Sequence, residues 1–187
     1  MSEKTNLKQG GIVRGPIGEA LLQRDCVLPL SVIKEKLERP SIAIGCNVMI
    51  EVRDGDTGPV IARQEGHNLV VNEGLDIIRD MLGGDLNEEP TDIAVGTDNT
   101  AVVATDTTMG LEVFRNQITR RLDSAQQITF QLFISTTQAN GNTLVEAGLF
   151  RVKNQVDRLF ARIVYLPIVK TVSVSVTYTW QVTLAAS

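Results

Sequence analysis

The sequence predicts a mainly β protein: an antiparallel two-sheet sandwich with one short amphipathic helix, about 72–82, and an extended N-terminal arm. Three observations lead there. Only one stretch carries convincing helical periodicity. Eight to ten other runs read as strands in hairpin order, without the βαβ alternation of a parallel sheet. Residues 1–40 are punctuated by Gly10, Gly11, Gly15, Pro16, Gly18, Pro29 and Pro40 and read differently from the rest.

Taken in order, residues 1–40 form the arm. Leu21, Leu22, Val27, Leu28, Leu30, Val32 and Ile33 are too many apolar groups for a free tail, so the arm is expected to order against a partner. A short helix over Ser31–Leu37 fits within it. The β-sandwich domain is expected over 41–187. Ser41–Arg53 reads as a strand, Asp54–Gly58 as a turn and Pro59–Gln64 as the returning strand, since an Asp-Gly pair between such runs marks a hairpin. Asp54 and Asp56 lack the further ligands of a calcium loop and read as turn residues.

The helix follows. Asn72 is expected as its N-cap and Gly83 as its left-handed end. Leu75, Ile78, Met81 and Leu82 fall on one face, and Asp76, Arg79 and Asp80 fall mainly on the other. A single one-sided helix must bury its stripe against a sheet. Asp85–Asp92 is then an acidic loop, Ile93–Val95 a buried strand, and Asn99–Gly110 a surface segment of Thr and small residues. Glu112–Arg121 reads as one strand, with Arg115, Arg120 and Arg121 as a basic cluster suited to a solvated face or to ion pairs between subunits.

Ile128–Ser135 alternates clearly, and Thr143–Val152 is expected to return beside it as a second hairpin. Leu159–Ile168 is another strand, with Pro167 limiting pairing near its end. In the last segment Val172, Val174, Val176, Tyr178, Trp180, Val182 and Leu184 alternate with Ser, Thr and Gln, over about 40 Å if fully extended. No charge follows Lys170. The opposite face of this strand, with Thr177 and Thr179, is uncharged and invites contact with another chain. Glu146, inside TLVEAGLF, shares parity with Leu144, Gly148 and Phe150. It is expected either to be buried against Arg115, Arg120 or Arg162, or to face water across a bulge at Gly148.

Composition excludes several function classes. The 187 residues suffice for one core plus an arm, and a net charge of −4 argues against a general polyanion binder. Two cysteines, Cys26 and Cys46, are too few for a disulfide framework. The polar first ten residues do not read as a signal peptide, and no apolar run approaches the roughly 20 residues of a membrane helix. The single histidine, His67, is expected to hydrogen-bond backbone at a strand end; no catalytic residues, metal ligands or cofactor are expected.

The segments HNLVVNEGLDIIRDMLGG, IAVGTDNTAVVATDTTMGLEVFR, ISTTQANGNTLVEAGLF and LFARIVYLPIVKTVSVSVTYTWQVTL together resemble a family of tailed-bacteriophage structural proteins of the tail-fibre, tail-collar or baseplate-associated type. The resemblance covers roughly residues 46–184 and leaves out the arm. It implies a non-enzymatic virion component without cofactor, made and assembled in the host cytoplasm. The expected partners are copies of itself, as a trimer or ring, and other virion structural proteins through residues 1–40; nucleic acid and membrane are not expected. A capsid decoration or neck protein is the alternative, and a host-glycan-binding module is the alternative of another class.

Overall fold

The computed structural model of the protein describes residues 42–85 and 87–186. The expected arm, its helix at Ser31–Leu37 and Cys26 lie outside the described residues. Among the described residues ten strands and one helix run in the order β1 (Ile42–Asp54), β2 (Val60–His67), β3 (Leu69–Val70), α1 (Asn72–Leu82), β4 (Asp92–Gly96), β5 (Glu112–Gln117), β6 (Arg120–Ser124), β7 (Gln127–Ile134), β8 (Thr143–Lys153), β9 (Val156–Val169) and β10 (Val174–Ala186). They build two five-stranded antiparallel sheets, ordered β2-β1-β10-β7-β6 and β3-β9-β8-β4-β5. The described residues therefore form the expected two-sheet antiparallel sandwich with one helix.

Alternation builds the core. From the first sheet Val48, Ile50, Phe130, Leu132, Val176, Tyr178 and Trp180 point between the sheets; from the second, Ile93, Val95, Leu149 and Ile163 meet them. Tyr178 and Trp180 are wholly buried. The Tyr165 hydroxyl of β9 lies 2.7 Å from that of Tyr178 on β10, joining the sheets. Burial, first of all, pushes both phenols well up from their ordinary values.

Several expectations need correction. Glu112–Arg121 is not one strand: β5 pairs with β4 in the second sheet, and β6 pairs with β7 in the first. The chain changes sheets at Ile118 and Thr119, whose amides donate to the Thr91 and Gln131 carbonyls, one in each direction. Ile128–Ser135 and Thr143–Val152 do not form a hairpin. Residues 135–142 carry the chain from the first sheet to the second, and β8 pairs with β4 and β9. Pro167 does limit pairing locally: it falls in the unpaired stretch where the register shifts between Leu144 and Glu146, and the ladder resumes beyond it at Leu144 opposite Ile168. Val172 precedes β10 and is exposed.

The helix also departs in detail. Val71 occupies the N-cap position without a side-chain cap, and Asn72 is already helical. The Asn72 amide instead donates to the Ala104 carbonyl, so a distant loop satisfies a first-turn donor. Gly83 is right-handed; the left-handed residue is Gly84, at φ +89. Gly84 donates to Met81 and Asp85 to Asp80, which is the Schellman pattern. The buried face is Gly74 and Ile77, with Ile78 half-buried, whereas Leu75 and Leu82 are exposed. A β-carbon on Gly74 would lie 2.1 Å from the Phe160 carbonyl oxygen, so the helix backbone rests directly on β9. That close approach selects the Gly74–Ile77 line over the wider stripe read from the sequence.

Candidate functional site

The loop between β4 and β5, residues 97–111, lies over the second sheet on the side away from the main core. Beneath it Val71, Ala94, Met109, Phe150 and Leu159 form a second, smaller apolar cluster. Glu146 is the pin. It is fully buried, and its carboxylate accepts from the amides of Leu111 at 2.8 Å, Gly110 at 3.1 Å and Asp98 at 3.3 Å. Arg162 Nε donates to it at 2.9 Å and Nη2 lies 2.8 Å away. Arg162 also reaches Asp106 at 3.0 Å.

Glu146 is thus buried with Arg162, one of its three expected partners, and not with Arg115 or Arg120. It shares a face with Gly148 and Phe150 but not with Leu144, because the register shift separates them. The bulge expected at Gly148 is absent there; the second shift falls between Leu149 and Phe150.

A second buried carboxylate ties the acidic loop to the sheet. Glu88, 2 % exposed, meets Arg151 at 2.5 Å, Lys153 at 3.0 Å and Arg158 at 3.1 Å. Burial pushes its carboxyl up, but hydrogen bonds from Lys153 and Arg151 and their charges outweigh this and hold it below the ordinary value. Sequence reading missed Glu88, since nothing marks it apart from the acids around it.

The three arginines do not form a cluster. Arg115 pairs within the chain with Glu112 at 2.6 Å and Asp157 at 2.7 Å, and its guanidinium stacks 4.0 Å from the Phe150 ring centroid. Arg121 donates to the Pro90 carbonyl at 2.6 Å, and Arg120 is exposed on β6 in the other sheet. His67 also differs: its Nδ1 lies 2.5 Å from the Asn47 side-chain oxygen, not against backbone. Asp56 accepts from the Thr136 amide at 2.8 Å and joins two turns. Cys46 is buried as a free thiol.

Thr177 and Thr179, expected at a contact with another chain, lie on the outer face of the first sheet. β10 is central there, paired on both sides, so the strand is no free edge. Thr177 pairs with Glu51 and Phe133, and Thr179 with Met49 and Gln131. Thr179 is buried at 5 % exposure and accepts from Gln131 Nε2 at 3.1 Å; Thr177 is half-buried. On β10 and β7 the outward positions Thr177, Thr179, Gln131 and Phe133 are uncharged, while on β1 Glu51 lies directly opposite Thr177. Glu51 pairs with Arg63 on β2, and Arg120 stands on β6.

No helix among the described residues is long and apolar enough to cross a membrane. Comparison with known protein families, curated proteins and solved structures found no match.

Proposed function

We propose that the protein is a non-enzymatic structural component of a phage virion, in the tail, fibre or baseplate region, working by self-association and by docking to neighbouring virion proteins. The observation that carries this reading is the uncharged strip of the first sheet's outer face at Thr177, Thr179, Gln131 and Phe133, flanked by Glu51 on β1 and Arg120 on β6. Burying that strip costs little desolvation, because these positions hold no charge to strip of water and the neighbouring Glu51 already pairs with Arg63. The resemblance of residues 46–184 to tail-fibre and baseplate proteins supports the same reading.

The two most buried carboxylates among the described residues hold loops in place. Glu146 and Arg162 hold the 97–111 loop, and Glu88 holds the acidic loop. A glycan-binding role is less well supported, because Tyr178 and Trp180, two of the few aromatic residues able to stack on a sugar, are in the core. A homo-oligomer, trimer first and ring second, is the expected assembly.

Immunogold electron microscopy of particles from the phage that carries the gene tests the placement. Label at the tail, fibre or baseplate supports the proposal. Label on the capsid or neck replaces it with the decoration or neck alternative, and particles without label overturn a virion role.

A further inference from the structure

The segment joining β7 to β8, residues 135–142, is fastened to Lys170, the residue after β9. The Gly141 amide donates to the Lys170 carbonyl and the Lys170 amide to the Asn142 carbonyl, both at 2.9 Å. Lys170 is fully buried, which is rare for a lysine without a charged partner. Its Nζ donates to the Asn140 side-chain oxygen at 2.8 Å and to the Thr171 carbonyl at 3.0 Å, and both of these oxygens are neutral. Burial pushes the amine down from its ordinary value, while the charge of Asp56 acts the other way. A desolvated lysine amine is a nucleophile, and the group beside it is a carboxamide.

We propose that Lys170 and Asn140 join in an intramolecular isopeptide bond. The neutral Lys170 nitrogen attacks the Asn140 side-chain carbonyl carbon. A C–N bond forms there, and the bond from that carbon to Nδ2 breaks. One proton of the amine leaves with Nδ2 as ammonia, so one amide replaces another without any redox change. Three observations favour this pair. First, the contact at 2.8 Å already holds the amine against the carbonyl, so the reaction needs no encounter of separate groups. Second, the carboxamide is held in place. Asn140 Nδ2 donates to the Thr136 carbonyl at 2.8 Å, and Asp56 fixes Thr136 through its amide at 2.8 Å and its hydroxyl at 3.2 Å. Third, the competing nucleophile is occupied. Asn140 precedes Gly141, whose amide could otherwise close a succinimide on the same carbon, but that amide is committed to the Lys170 carbonyl. The bond ties the end of β9 to the segment that crosses between the sheets, and it does not depend on a place in a virion.

Intact mass and tryptic mapping of the full chain, after incubation at neutral pH, test it. The expected result is a loss of about 17 Da, one ammonia, with residues 122–151 joined to residues 163–187 and no cleavage after Lys170. Lys170→Met and Asn140→Ala should each remove the joined product; if either variant misfolds, the wild-type map still decides. A wild-type chain with its peptides unmodified overturns the inference. So does a loss of about 17 Da without joined peptides, which is the succinimide, or a gain of about 1 Da at Asn140, which is its hydrolysis to Asp.

Discussion

Replacing Glu146 by Gln keeps the side chain's size and removes its charge. In the native protein the carboxylate serves three backbone amides and Arg162, all out of water. The amide can present only one oxygen to these donors, and its NH₂ must face a donor somewhere. Arg162, 3 % exposed, loses its nearest anion and keeps Asp106 at 3.0 Å. Removing one partner of a buried pair costs about 3–5 kcal/mol, and the surviving Asp106 contact places Glu146→Gln near the low end, about 3 kcal/mol. Urea unfolding followed by the fluorescence of Trp180, the sole tryptophan, measures this directly. Hydrogen exchange at the Gly110 and Leu111 amides should accelerate in parallel, since both donate to the missing charge. A loss below about 1 kcal/mol, in the range of an ordinary neutral hydrogen bond, would refute the claim that this carboxylate pins the loop.

Three further outcomes follow from the same contacts. Gly74→Ala drives a β-carbon to 2.1 Å from the Phe160 carbonyl oxygen and should destabilise by about 2–3 kcal/mol in urea unfolding. Glu88 has a folded-state pKa below its unfolded value, so its contribution is complete above about pH 4.5 and is lost as pH falls through the lowered value. The gap in Tm between wild type and Glu88→Gln should therefore be full at pH 7 and shrink below about pH 4.5; a constant gap would contradict the charge argument. Val176→Lys places an amine in the inter-sheet core, where Val176 is fully buried, and circular dichroism should show an unfolded chain.

Much of the fold was legible because alternation is a local signal. The parity of Val176, Tyr178 and Trp180 against Thr177 and Thr179 can be read from residue types alone, and the structure keeps it. Glu146 could be flagged because a carboxylate within an apolar alternating run must be paired or excluded. Sheet membership was not legible. The change of sheet at Ile118-Thr119 has no glycine or proline to announce it, and residues 135–142 contain the same turn residues as a hairpin loop. Alternation states which way a side chain points, not which strand lies beside it. Ile77 was missed for a related reason: the helix stripe was drawn from the larger set Leu75, Ile78, Met81 and Leu82, while contact at Gly74 fixed which line faces β9.

Sedimentation of wild type beside Thr177→Lys tests the self-association claim most directly. Thr177 lies on the outer face next to Glu51, so a lysine there can pair without entering the core, while it puts a charge into the proposed contact. A wild-type oligomer, trimer or ring, and a folded Thr177→Lys monomer with unchanged circular dichroism are the expected results. A wild type that stays monomeric at high concentration, or a Thr177→Lys protein that assembles as wild type does, would contradict it.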